Sequence, residues 1–243
     1  MALLPALLGG CTAGGAWDLL SSVPDPPEEP IIVTVDDSGD ADYTTLQAAV
    51  DASPAGSTIL VRGGSYGREG SDGDPLVIDV PDLIILAAYA GVSGYDASRA
   101  GNGVLDDSGT RTGATFVVTS SEETEVNDPV RITAPGVTLD GFTFDVTAIF
   151  GFSGDTELSG GDRAVDFGSG SRIENCRFIE TTGSDAGAPN QVEIATTQTT
   201  VDSLWVLNNA FFGEAPGVQI GSADFTGRVD ILANSIVDGS LNI

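Results

Sequence analysis

Four acidic residues in the second half of the chain carry the side chains that glycoside hydrolysis requires. They are Asp166, Glu174, Asp185 and Glu193. A glycosidase uses two carboxyl groups at a defined separation on one face, one as general acid and the other as base or nucleophile. These four residues are therefore candidate catalytic groups. The sequence does not give the distances between their carboxyl groups.

Aspartates also cluster in short segments rich in Gly and Ser, which suggests either calcium ligands or turns that face water. Calcium takes about six to eight oxygen ligands, but no spacing here matches a defined calcium loop. In so acidic a chain, solvated turns are the simpler interpretation. Calcium stays an alternative cofactor, and its candidate ligands are Asp36, Asp37, Asp40, Asp72 and Asp74.

Aromatic side chains offer a second kind of chemistry, stacking on the apolar faces of sugar rings. Phe150 and Phe152 lie in a long loop predicted at residues 146–162, and loops that project from a rigid scaffold are where binding is usually built. Trp205 lies just before a predicted strand motif, which also favours a structural role. These three residues are the candidate glycan-stacking positions.

Composition narrows the classes of function. The chain has no histidine and two cysteines, so a zinc centre, a catalytic triad and a disulfide framework are all disfavoured. Its formal net charge is −27, which disfavours nucleic acid, anionic membranes and acidic polymers as direct partners. A surface with this charge and without lysine suits high salt, so a halophilic source is one hypothesis and an ordinary solvated acidic surface is the other.

The elements that must position these residues are almost all strands. From residue 31 onward, short β-branched runs such as "IIVTV", "STILV", "LIILAAY" and "ATFVV" alternate with turn residues. Helical periodicity occurs only near residues 44–53, where Leu46, Ala49 and Val50 form one apolar face. Thr44 and Gln47 have the spacing of a capping box at the start of this helix.

A repeat indicates how the strands are arranged. Four six-residue motifs can be aligned with steps of 34, 34 and 25 residues: "LDGFTF" from Leu139, "IENCRF" from Ile173, "LNNAFF" from Leu207 and "LANSIV" from Leu232. Repeats of this kind predict stacked structural units with insertions in loops. The alignment places Asn175, Asn209 and Asn234 at one corner of successive coils, with Phe178 and Phe212 in the interior.

We therefore predict an all-β fold, a single-stranded right-handed parallel β-helix with an N-terminal capping α-helix. The first coil of such a solenoid exposes an apolar end and unpaired strand edges, and a terminal cap prevents aggregation. The single helix near residues 44–53 is predicted to be that cap.

One segment resembles a known family. "VTVDDSGDADYTTLQAAVDASPAGSTILVRGGSYGRE", residues 33–69, is similar to the start of pectin methylesterases and of the wider pectin lyase-like β-helix superfamily. Gly64, Tyr66 and Glu69 nearly reproduce the family's G-x-Y-x-E motif, with one extra residue before the glutamate. The resemblance covers about 37 residues, and it implies the β-helix fold and carbohydrate substrates.

The esterase motifs that the resemblance implies are missing. "RAVDF", residues 163–167, stands where the family has Q-A-V-A-L, and the glutamine is absent. The two catalytic aspartates of the family align near Gly183 and Gly217, with Asp185 two residues away from the first, and no Arg-Pro-Trp triplet occurs. An active methylesterase is therefore disfavoured.

The N-terminus resembles a lipoprotein signal. Residues 1–10 form a short apolar leader, and Leu8-Gly9-Gly10-Cys11 is similar to a lipobox, which implies lipid attachment at Cys11. Residues 11–30, rich in Pro and acidic residues, then form a tether, and residues 31–243 form the β-helix domain. These features predict an extracellular or cell-surface protein held to the membrane by its lipid anchor alone.

Two functions remain open. The favoured one is a non-catalytic surface module that binds a polysaccharide or another cell-surface component. The alternative is a carbohydrate-active enzyme, a lyase or a glycosidase, whose site the sequence does not locate. A last repeat strand without a polar cap also predicts end-to-end self-association as one alternative, and continuation of the chain as another.

Overall fold

The computed structural model describes ten ranges of the chain. They are residues 28–67, 75–96, 123–127, 130–145, 163–179, 193–195, 200–212, 218–219, 224–237 and 241–242. Cys11, Asp72, Asp74, Phe150, Phe152, Asp185 and the predicted strand "ATFVV" lie outside these ranges. Among the described residues, no helix has the length and apolar character that crossing a membrane would need.

The described elements are one short helix and a succession of short strands, which confirms the predicted fold class. The helix is α1 (Leu46–Ala52). The strands are, in chain order, β1 (Ile32–Val35), β2 (Thr58–Val61), β3 (Gly64–Tyr66), β4 (Leu76–Ile78), β5 (Ile84–Leu86), β6 (Thr124–Val126), β7 (Val130–Ile132), β8 (Thr138–Asp140), β9 (Thr143–Asp145), β10 (Arg163–Asp166), β11 (Ser171–Glu174), β12 (Arg177–Ile179), β13 (Glu193–Ala195), β14 (Thr200–Val201), β15 (Leu204–Leu207), β16 (Ala210–Phe212), β17 (Val218–Gln219), β18 (Asp224–Phe225), β19 (Val229–Leu232), β20 (Ser235–Val237) and β21 (Leu241–Asn242).

The strands stack into three parallel sheets, because successive coils of the chain place their strands one above another. Sheet A has the order β1-β2-β5-β8-β11-β15-β19, sheet B the order β3-β6-β9-β12-β16-β20, and sheet C the order β4-β7-β10-β13. Two further parallel pairs, β14-β18 and β17-β21, belong to the last coils. This is the architecture of a parallel β-helix.

The register of sheet A corrects the predicted repeat by one residue. Leu139 pairs with Ile173, as the alignment required, but Ile173 pairs with Val206 and not with Leu207. Val206 in turn pairs with Ile231, and Leu207 pairs with Leu232. The repeat therefore has steps of 34, 33 and 25 residues, and side chains 207 and 232 point away from the core because neighbouring residues of a strand face opposite sides.

The core runs along the axis of the coils and is built from the inward row of each sheet. In sheet B the rings of Phe144, Phe178 and Phe211 stack with centroid distances of 4.9 Å and 4.7 Å. Phe178 is fully buried, as predicted. Phe212 was expected in this interior stack, but it pairs with Ile179 on the opposite face of sheet B, again because of the one-residue slip.

At the corner between sheets A and B, four successive coils turn through a residue in the left-handed region. These residues are Gly141, Asn175, Asn208 and Ala233, with φ of 84°, 56°, 58° and 57°. The predicted column of Asn175, Asn209 and Asn234 is therefore wrong at Asn175, which stacks on Asn208, whereas Asn209 stacks on Asn234 as predicted. The asparagines form two separate ladders. In the first, Asn208 donates to Asn175 (2.6 Å), and in the second, Asn209 donates to Asn234 (3.1 Å). The Asn209 side chain also donates to Ile173 O and accepts from Cys176 N.

The helix caps the first coils, as predicted, with Leu46, Ala49 and Val50 in the core. Its N-cap is Thr45 and not Thr44, since the Thr45 hydroxyl accepts from Ala48 N at 3.2 Å. Gln47 does not close a capping box. Its side-chain amide accepts from Val77 N (2.9 Å) and donates to Val77 O (3.0 Å), so it occupies the outer edge of β4.

The other two sheets have their first edges closed by aspartates. At the edge of β1, Asp42 accepts from Thr34 N at 2.9 Å, and Tyr43 donates to Thr34 O. At the edge of β3, Asp37 accepts from Ser65 N at 3.0 Å. All three sheets therefore begin with an edge that is already hydrogen-bonded, which prevents another strand from adding there.

Candidate functional site

The outer face of sheet A presents two rows of side chains along the seven strands of the sheet. Its first row contains Ile32, Thr58, Ile84, Thr138, Arg172, Trp205 and Asp230, in register from β1 to β19. Its second row contains Thr34, Leu60, Leu86, Asp140, Glu174, Leu207 and Leu232. Because parallel strands are about 4.8 Å apart, seven of them make a face about 29 Å long.

Trp205 is the aromatic side chain of this face. It lies partly exposed between Arg172 on the preceding strand and Asp230 on the following one. Arg172 donates to Glu174 at 2.7 Å, and Arg228 donates to Asp230, so the charges next to the indole are compensated. An amphipathic ring flanked by hydrogen-bonding groups on a sheet face can stack on a sugar and bind its hydroxyls.

The candidate carboxylate Glu174 lies in a different sheet from the candidates Asp166 and Glu193. Glu174 is in sheet A, where its carboxylate is occupied by Arg172. Asp166 and Glu193 belong to β10 and β13 of sheet C, so they are on a different side of the coils from Glu174. The structure therefore provides no glycosidase dyad from Glu174 with either of them.

In the acidic turn near the helix, the carboxylates of Asp36, Asp37 and Asp42 each accept structural hydrogen bonds. Asp36 accepts from Ser38 N (2.9 Å) and from Arg62 (2.8 Å), and these contacts lower the pKa of Asp36, with the Ser38 hydrogen bonds as the largest cause. Hydrogen bonds from Thr34 lower the pKa of Asp42 in the same way. Asp37 binds the edge of β3, and Asp40 binds Arg62 through its backbone oxygen.

Calcium therefore has little support at this turn. Within the described ranges, no three carboxylate, cysteine or histidine side chains lie together in a way that would hold a metal ion. Asp36, Asp37 and Asp42 instead stabilise the first coil.

A buried ion pair on the outer face of sheet B was not anticipated from the sequence. Arg177 donates to Glu123 at 3.1 Å, and both side chains are 0% exposed. Thr143 donates to the other carboxylate oxygen of Glu123 at 2.7 Å. The Arg177 guanidinium lies 5.6 Å from the ring centre of Phe212, which stacks on Tyr95 at 6.3 Å. The two partners are 54 residues apart, so no local sequence pattern indicates this pair. The presence of a charged residue, Arg177, within a strand is the one sequence feature that points to it.

Residues 87–96 connect several coils along the corner between sheets A and B. The sequence predicted that the strand continued through "LAAY", but β5 ends at Leu86. Beyond it, Gly91 N donates to Asp140 (3.0 Å), and Gly94 N and the Ser93 hydroxyl donate to Asn208 (3.2 and 2.9 Å). This segment ties the coil of β5 to the coils of β8 and β15, and it passes so close to Gly141 that a Cβ there would overlap Ala90 N.

Comparison with known proteins adds no family to these observations. No family model, no curated protein and no solved structure matches the chain. The fold is therefore assigned from the geometry of its sheets, and the chain is a parallel β-helix by that geometry alone.

Proposed function

We propose that the protein is a non-catalytic surface module that binds a polysaccharide along the outer face of sheet A. Trp205 carries the proposal, because it presents a partly exposed indole between the polar side chains of Arg172 and Asp230 on the outer face of sheet A. In this role the indole stacks on one sugar ring, while Thr138, Arg172 and Asp230 offer hydrogen bonds to neighbouring hydroxyl groups.

The net charge of the protein favours neutral glycans over acidic ones as ligands. At a net charge of −27, a polyuronate chain is repelled over the whole surface at low salt. Arg172 and Arg228 are each paired with a carboxylate of the same face, so they do not form an anion-binding patch. A neutral polysaccharide is therefore the proposed ligand.

The proposed location is the cell surface, with a lipid anchor at Cys11. The lipobox-like sequence before Cys11 and the Pro-rich acidic segment after it support this part of the proposal. The resemblance of residues 33–69 to the pectin lyase-like superfamily supports a carbohydrate ligand, and the missing esterase motifs support the absence of ester hydrolysis. A Cys11→Ala variant that stayed in the membrane fraction would contradict the anchor.

Replacing Trp205 with alanine is expected to weaken binding to a neutral polysaccharide at least tenfold, about 1.4 kcal/mol, because the stacking surface is lost. Affinity electrophoresis against a panel of neutral and acidic polysaccharides, in low and high salt, measures this change. Tyr95→Ala is the matched control, since Tyr95 is an exposed aromatic side chain on another face.

If the polysaccharide retained the wild-type and Trp205→Ala proteins equally in the gel, the outer face of sheet A would not be the binding face. Release of reducing ends or of unsaturated products during the incubation would contradict the absence of catalysis, and would favour a glycosidase or a lyase instead.

A further inference from the structure

The first three coils expose an apolar stripe on the outer face of sheet A. Ile32 is 71% exposed, Ile84 40%, Leu60 38% and the preceding Ile31 41%. Ile32 and Ile84 are both in register with Thr58, and Leu60 lies in the next row between Thr34 and Leu86. We call Ile32, Leu60 and Ile84 the apolar stripe.

This stripe is unusual for the surface on which it lies. Single exposed aliphatic residues are normal, but adjoining ones mark an interaction surface. The edges of the same coils are closed by Asp42, Asp37 and Gln47, so strand addition is prevented at the end of the solenoid while the face beside it stays apolar. The stripe is therefore suited to side-chain packing and not to strand pairing.

We propose that the stripe is the docking site of residues 16–20 of the same chain, "AWDLL". This segment lies outside the described residues and carries Trp17, Leu19 and Leu20 a short distance before Ile31. Its apolar side chains match the stripe in chemistry, and the two are joined by residues 21–30. Attachment to the same chain gives the segment a high effective concentration at the stripe.

The intervening chain is long enough for this arrangement. Residues 21–30 span at most about 33–36 Å when extended, at about 3.3–3.6 Å per residue. The stripe crosses two strand spacings from Ile32 to Ile84, which is about 10 Å. Pro24 and Asp25 are residues that favour turns, so the chain can reverse and bring Trp17 onto the stripe.

Docking would shorten the distance between the solenoid and anything attached at Cys11. Only the few residues between Cys11 and Ala16 would remain as a free spacer, instead of the whole of residues 11–30. The inference does not depend on glycan binding, since the stripe and Trp205 are at opposite ends of sheet A.

Tryptophan fluorescence of the full chain tests the docking. The protein has two tryptophans, so a Trp205→Phe variant leaves Trp17 as its only reporter. We expect its emission to be shifted to the blue of the urea-unfolded chain, and acrylamide to quench it several-fold less efficiently. Adding Ile84→Ser should move the emission maximum and the quenching efficiency most of the way to those of the unfolded chain. The melting temperature should change little, because Ile84 is exposed.

Leu232→Ser is the matched control, because Leu232 is an exposed residue of the same face, four strands away from Ile84, and should leave Trp17 unchanged. Emission and quenching of an exposed indole in the Trp205→Phe protein would overturn the proposal. So would protection of Trp17 that disappears on dilution together with a dimer seen by light scattering, since the occupant would then be a second copy.

Discussion

Phe178→Ala is expected to lower the free energy of unfolding by about 3–5 kcal/mol, the range for removing a large aromatic side chain from a core. Phe178 is the middle ring of the interior stack, with Phe144 and Phe211 on its two sides and no exposed surface. Its removal leaves a cavity that two neighbouring coils share, and a solenoid cannot close this gap without shifting whole strands. Urea denaturation followed by circular dichroism measures the loss.

Tyr95→Ala is the control for this prediction. Tyr95 also stacks on a phenylalanine, Phe212, but it is 45% exposed, so its replacement should lower the free energy of unfolding by only about 1 kcal/mol. If Phe178→Ala does not fold, Phe178→Leu should fold with an intermediate loss. A Phe178→Ala protein as stable as Tyr95→Ala would contradict an interior stack.

The second large effect is expected at the buried ion pair. Arg177→Met should lower the free energy of unfolding by about 3–5 kcal/mol, because the carboxylate of Glu123 then stays buried opposite an uncharged side chain. The double variant Glu123→Gln/Arg177→Met should lose less than the sum of the two single losses, since it removes both charges together. Urea denaturation of the four proteins gives the coupling energy.

Arg172→Met is the matched control. Arg172 also pairs with a glutamate, Glu174, but the two side chains are 39% and 22% exposed, so solvent screens the pair and the expected loss is under about 1 kcal/mol. Additive effects of the two substitutions at positions 123 and 177 would show that the pair does not act as a unit. Equal losses for Arg177→Met and Arg172→Met would contradict the burial of Arg177.

The stacked fold could be predicted from the sequence because its signals are local. Apolar residues of β-branched type recur in short runs, and the helical periodicity is confined to the segment that contains Leu46, Ala49 and Val50. The pairing register of the strands could not be predicted from the sequence with the same accuracy. "VLNNAFF" contains two adjacent asparagines, and either one fits a corner that also accepts Gly141 and, in the last coil, Ala233.

The details of the cap depended on tertiary contacts that no local pattern contains. Two adjacent threonines both satisfy the N-cap preference, and the structure uses Thr45. Gln47 has the spacing of a capping box, but its amide bonds β4, which lies 30 residues further along the chain. A local motif is overridden here because an unpaired strand edge offers two hydrogen bonds and the helix N-terminus offers one.

The candidate site could be predicted only in part for the same reason. Trp205 was recognised as a surface candidate by its residue type, but its neighbours Arg172 and Asp230 are defined by the pairing of β11, β15 and β19. The candidate carboxylates Glu174 and Asp166 are close in sequence, and yet the turn between sheets separates them. Proximity along the chain does not imply proximity in a coil that changes direction every few residues.

The register of sheet A is the central claim, and disulfide cross-linking tests it most directly. In a Cys11→Ala background, with Cys176 buried, a Glu174→Cys/Leu207→Cys protein places two outward cysteines on paired positions about 4.8 Å apart, within the range that a disulfide spans. We predict rapid oxidation of this pair and little oxidation of Glu174→Cys/Trp205→Cys, which is two residues out of register. Failure of the 174–207 pair to cross-link, or equal cross-linking of both pairs, would contradict the parallel β-helix described above.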